Sequence, residues 1–192
     1  MKETINLILE IMYVICGVIS ILCGIYALRD QKNDKRIGSA AFWIIFGLVF
    51  ILGPYINPVI VGASLLVMGL ITATKNIKIG SLANSSEEFR EKQAAKLGNL
   101  IFFPALSIGI VAFAIAQFTP LGGLVGLGGG ALAALAISLI VTKESPAMIP
   151  HESSRILQQM GATVILPQLL GALGSVFAKA GVGEVIASLM GG

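Results

Sequence analysis

Few side chains in the apolar parts of this sequence could do chemistry, and most of those cluster near its end. The apolar runs hold only Glu10, Lys179 and Glu184 as ionisable groups, while residues 158–183 (QQMGATVILPQLLGALGSVFAKAGVG) add three glutamines, a proline and a run of glycines. Within these runs there is no Ser/His pair, HExxH or GxSxG and no carboxylate pair at helical spacing, so an enzyme is not expected. The only histidine, His151, sits in a polar stretch with no Cys or second His nearby. Cys16 and Cys23 lie seven apart on one helix face, too far along the axis for a disulfide, and pack rather than hold a metal. No metal and no cofactor is expected.

What remains is recognition without bond chemistry. Residues 156–179 are long enough to cross a bilayer, but Pro167 interrupts them near the middle. Proline is favourable at a first helical position, so the spacing predicts a break at Leu166 and a second half-helix over 167–178. Pro167, Gly171, Gly174 and Ala178 share one face of it, a smooth contact surface. Gln168, Ser175 and Lys179 form a polar stripe about 100° away. A broken membrane helix frees backbone N–H groups at the start of its second half, and these, with the positive end of the helix dipole, attract a carboxylate. Pro167, Gln168, Gly171 and Ser175 are therefore the candidate substrate-binding residues. The competing reading makes Pro167 a kink and leaves Gln168 and Ser175 to hydrogen-bond between helices. Lys179 reads as snorkelling to an interface.

The elements that must position this segment follow from composition. The chain is 56% hydrophobic and 12% charged with mean hydropathy +0.91, which sets it outside soluble domains. The fold class is all-α: one polytopic membrane domain over residues 1–192, with five transmembrane helices near 6–28, 38–52, 58–74, 99–118 and 121–142 and a broken or re-entrant sixth segment at 156–179. The first run exceeds a signal-peptide core and no small-x-small site follows it, so it reads as a retained span. Within it Glu10 is either an interfacial carboxylate or a charge paired with a partner. GPYINP at 53–58 is a tight turn, and Ser86 with Glu87 and Glu88 predicts a capped, solvated helix in the loop. Pro104 falls in the first turns of its span. Gly122, Gly126 and Gly130, spaced by four, mark a face for close helix packing, with Gly174 in the same role on the half-helix. GLGGG follows no strand and does not read as a nucleotide loop.

Loops 29–37, 75–98 and 143–155 carry Arg29, Lys32, Lys35 and Arg36, then Lys75, Lys78, Arg90, Lys92 and Lys96, then Lys143 and Arg155. These are eleven of the thirteen basic residues, and the intervening turns carry none. The positive-inside rule puts these loops in the cytoplasm and the N-terminus outside. The basic residues therefore signal topology, not nucleic-acid binding.

KLGNLIFFPAL at 96–106, RDQKNDKRIGSAAFWIIFGLVFILG at 29–53, and above all LPQLLGALGSVFAKAGVGEVIA at 166–187 resemble the membrane-subunit family assigned to 5-oxoproline (pyroglutamate) transport, formerly a domain of unknown function. The resemblance implies a second membrane subunit as partner. It also implies distant kinship with gluconate-permease and other ion-transporter folds, in which a similar GVG follows a broken segment. Members are longer, so it further implies that this chain is a truncated or split version. The expected function is a subunit of a secondary transporter for a small organic anion, such as 5-oxoproline, in the bacterial inner membrane. Its carboxylate would meet residues 166–169, and Gln168 would read the lactam. The alternative is a non-transporting structural subunit that packs against a partner.

Overall fold

The computed structural model describes residues 2–82, 86–143, 145–179, 181–182 and 187–188; the side chains of Ala162, Gln168, Ala172 and Val176 are outside that set, as is Glu184. Every regular element among the described residues is helical. Helix α1 (Lys2–Arg29) is about 42 Å long at 1.5 Å per residue. It buries a line of small residues, Gly17, Ser20, Gly24 and Ala27, on one face. Helix α2 (Arg36–Leu52) returns along that line. A Cβ placed on Gly47 would lie 2.6 Å from the Gly17 carbonyl oxygen, and one on Gly24 would lie 3.0 Å from that of Ala40. The two backbones touch because neither seam carries side chains there.

The turn after α2 ends where the sequence demands. Asn57 caps helix α3 (Pro58–Ala73) by accepting from the Val59 N–H at 2.9 Å, with Pro58 in the first turn. The Tyr55 hydroxyl of this turn donates to Glu10 at 3.3 Å, so a partner for that carboxylate lies within the chain. Phe42, Trp43 and Phe46 of α2 pack with Cys23 of α1 and Met68 of α3 as the apolar core. Cys16, seven residues earlier, is exposed. The two cysteines thus have different surroundings although their spacing places them on one face.

Helix α4 (Glu87–Leu97) is capped by Ser86, whose hydroxyl accepts from the Phe89 N–H at 3.3 Å. A 3-10 turn over Gly98–Phe102 joins it to α5 (Phe103–Phe118), which has Pro104 in its first turn. Helix α6 (Gly122–Thr142) folds back on α5. Positions for Cβ atoms on Gly126 and Gly130 fall 2.7 and 2.6 Å from the carbonyl oxygens of Ala112 and Ile108. Gly122 begins the helix at φ +83° and faces nothing within 4 Å.

The stretch 143–155, read from its polarity as a loop, is largely helical. Ser145 caps a 3-10 turn at Pro146–Met148, and α7 (Ile149–Met160) follows. Polarity misleads here because α7 is amphipathic: it lies on α1 with Ser154 and Gln158 buried, while Arg155 pairs with Glu152 at 2.8 Å on another side.

Three helical stretches, 2–29, 87–118 and 122–142, are long and apolar enough to cross a bilayer, and a bent pair, 146–160 with 163–179, makes a fourth candidate. At 17 and 16 residues α2 and α3 are apolar but only about 25 Å long, short of the roughly 30 Å hydrocarbon core. The count of spans long enough to cross is thus three to four, not a clear five plus a sixth. These long apolar helices, with α5 burying no residue and turning Leu106, Ile110 and Phe113 outward, fit a membrane protein.

Candidate functional site at the elbow of the broken segment

The chain breaks at Gly161, five residues before the point that Pro167 suggests. Gly161 caps α7 at φ +59°, a conformation cheap only for glycine, and its N–H bonds to the Leu157 carbonyl. A 3-10 turn over Gly161–Ile165 then leads into α8 (Leu166–Lys179). Pro167 sits in the first turn of α8, where its missing N–H does no harm. The stretches 146–160 and 163–179 meet at 82°.

The elbow is seated in the body of the protein. Ile165, 2% exposed, enters the cluster of Cys23, Phe42, Trp43, Phe46 and Met68, and Leu157, Val164 and Leu169 pack around it. Beside the elbow runs a groove of about 460 Å³ between α1, α2 and α7, with Phe46, Phe50 and Leu157 among its walls and the hydroxyls of Ser20 and Ser153 as its polar groups.

Beyond the elbow α8 leaves the body. Pro167, Gly171, Gly174 and Ser175 are exposed, and no atom stands within 4 Å of a Cβ position on Gly171 or Gly174. Gln168 lies in α8 by its backbone, with its side chain outside the described residues. Lys179 is exposed in the last turn. Of the N–H groups expected to meet a carboxylate at 166–169, that of Leu166 donates to the Thr163 carbonyl and Pro167 has none.

A different glutamine sits at the elbow. Gln158 is 3% exposed, and apart from a weak interaction with the Cys23 thiol neither its Nε2 nor its Oε1 has a hydrogen-bond partner. It lies beside the Cys23 thiol, which donates to the Ser154 carbonyl over a long 3.7 Å. Its Oε1 presses on the Cα of Gly80, where any Cβ would collide with it. Gly80 belongs to an extended strap, residues 76–82, laid over the loop between α1 and α2. Ser39 accepts from the Lys78 N–H at 3.1 Å and donates to the Lys78 carbonyl at 3.2 Å, and buried Asn33 donates to the same carbonyl at 3.3 Å. Lys78 Nζ pairs with Asp34 at 2.7 Å. Asp30 accepts from both the backbone N–H (2.6 Å) and the hydroxyl of Ser81. Three of the sequence's polar features, loop 29–37, the start of loop 75–98 and Gln158, thus converge at one place. The signal for Gln158 was its type: a carboxamide inside an apolar stretch.

Burial raises the Asp30 carboxyl, but the Ser81 hydroxyl and amide and the Lys32 amide and charge outweigh it, leaving the group below the usual carboxylate range. Asp34 is lowered chiefly by its hydrogen bond from Lys78. A depressed carboxylate lends its stabilisation above its unfolded value, about pH 4, and loses it as pH falls through the folded value. Protection of the Ser81 amide from hydrogen exchange, corrected for the intrinsic rate, is expected to hold from neutral pH to about pH 4 and to collapse below it. In Asp30→Ala protection is expected to be low throughout.

Among the described residues no three His, Cys, Asp or Glu side chains converge on a point that could hold a metal ion. Described residues that are all-helical wherever they are regular, with helices long and apolar enough to cross a bilayer and a helix pair bent at a seated elbow, are consistent with a helical membrane protein. Residues 10–192 match the family described as protein of unknown function, DUF979, and the chain belongs to that family. No curated protein and no solved structure matches it.

Proposed function

We propose that this chain is a membrane subunit of a secondary transporter for a small organic anion, with 5-oxoproline as the substrate. The observation that carries the reading is the 82° elbow between 146–160 and 163–179, with an unpaired carboxamide buried next to it. Irregular backbone is tolerated at membrane depth only beside a cavity or other protein, and transporters place their sites at such broken helices. In this reading α2 and α3 join the three longer helices as short spans, giving five spans and a broken sixth. The basic loops lie on the cytoplasmic side of a bacterial inner membrane, with the N-terminus outside. The uncovered face of α8, with Pro167, Gly171 and Gly174, meets a second membrane subunit, and the stripe of Gln168 and Ser175 is offered to the substrate between them.

The rival reading is a structural subunit that only packs against a partner, favoured by the bare Gly171 and Gly174. Gly126 and Gly130 do not serve that purpose, because α5 already occupies them. Uptake of labelled 5-oxoproline by cells expressing this chain, with and without the candidate partner, separates the two readings. Gln168→Ala is expected to cut uptake several-fold to tenfold, the worth of about one hydrogen bond to a charged or polar ligand, at an unchanged amount of protein in the membrane. Equal uptake by the variant removes Gln168 from the site. Absence of uptake in every combination leaves the structural reading.

A further inference from the structure

We infer that the Gln158 carboxamide is a ligand contact, closed off in this structure by the strap 76–82, for a group that presents a hydrogen-bond donor and an acceptor side by side. This rests on the transport reading of the same elbow and gives it a binding atom pair. Gln158 is 3% exposed, and apart from the weak contact with the Cys23 thiol its amide atoms are unpaired. A buried polar group left unpaired is costly, and a methionine in the same space would avoid that cost. The cost is recovered only when a matching partner arrives. One carboxamide offers N–H and C=O in a single plane, so both are satisfied together by a lactam, a primary amide or a protonated carboxyl. A trans peptide bond points its N–H and C=O in opposite directions and satisfies only one of them.

The strap is built to cover this position and to be released from it. Glycine at position 80 lets the strap backbone rest on the Gln158 amide as placed, whereas a Cβ there would force that amide to swing aside. The strap is held by a few polar bonds at its ends, from Ser39, Asn33 and Asp34 to Lys78 and from Ser81 to Asp30, and by the partly buried Ile77 on the core. Those polar bonds exchange readily with water when the strap lifts. One turn of α1 away from Cys23, Ser20 lines the 460 Å³ groove, which gives a ligand room beside the elbow.

The full chain in membranes tests this with two readouts. In a Cys16→Ala, Cys23→Ala background, Gln158→Cys is expected to react slowly with a membrane-impermeant maleimide and at least tenfold faster when Asp30→Ala cuts both bonds from Ser81. Equal rates overturn the lid. In purified protein, 5-oxoproline and 2-pyrrolidone are expected to raise Tm, while their N-methyl counterparts, lacking the donor, are not. Gln158→Met is expected to match or exceed the unliganded Tm of the parent and to lose the lactam shift. A lactam shift that survives in Gln158→Met overturns the contact, as does a lower unliganded Tm for that variant. So does a panel of lactams, primary amides and carboxylic acids that stabilises parent and variant alike. Uptake that persists in Gln158→Met sinks this inference alone, whereas Gln158-dependent lactam binding without uptake sinks the transport reading alone.

Discussion

Gly47→Val is expected to lower Tm by roughly 5–10 °C and to reduce the yield of folded protein from membranes several-fold. At Gly47 the added Cβ meets the Gly17 carbonyl oxygen at 2.6 Å and the Ile21 nitrogen at 3.0 Å. Both are backbone atoms in the middle of α1, so no side-chain rotation relieves the overlap and the helices must separate. In lipid the hydrophobic effect does not hold helices together, so that separation forfeits the dispersion contact that does. Gly17→Val meets the same seam from the other side, 2.7 Å from the Gly47 carbonyl oxygen. Because the first substitution has already opened the seam, the double variant is expected to cost clearly less than the sum of the two. Gly171→Val, with open space around it, serves as the control and is expected to leave Tm within about 1 °C. A parent-like melting curve for Gly47→Val would contradict the α1–α2 packing described above.

How far this seam could be read in advance shows what a single sequence carries. Local signals transferred well. The turn at GPYINP, the Ser86 cap and the early position of Pro104 each depend on a few neighbouring residues, and each stands where its chemistry asks. Glycine pairing did not transfer in the same way, because it depends on the register of two helices. The spaced glycines of α6 drew the eye, and Gly126 and Gly130 do meet α5, but Gly122 precedes the contact. An equally close seam lies at Gly17, Gly24 and Gly47, which are scattered among Ile, Val and Phe. The break position has a similar cause. Pro167 is the louder residue, yet proline is comfortable in a first turn, whereas Gly161 can take the left-handed φ that turns the chain. The site's polar contacts were the least legible. Asp30 and Ser81 are fifty-one residues apart, and Gly80 and Gln158 are further apart still, so only the folded chain shows that they meet.

Ile165→Ala is expected to separate the elbow's role from that of the helices around it. Ile165, next to the first residue of α8, is buried to 2% and packs with Phe42, Trp43 and Phe46, so truncation leaves a cavity that rigid aromatic neighbours cannot fill. Core Ile→Ala changes cost about 2–5 kcal/mol, and the lower half of that range applies here because lipid removes much of the transfer contribution. That is still enough to compete with the seating of a short, otherwise exposed helix. α8 touches the body mainly through the turn before it and through Leu169, so the cost falls on the angle at which it leaves the elbow. Uptake is therefore expected to fall more than tenfold while α1, α2 and α3 stay folded, seen as an unchanged helical circular-dichroism signal and an unchanged yield of protein from membranes. Ile165→Val, which removes one methylene, is expected to cost about 1 kcal/mol and lose less than tenfold. Leu170→Ala, five residues on and exposed, is the companion measurement. If it impairs uptake as much as Ile165→Ala without the partner present, the seat of the elbow is not what sets the direction of α8.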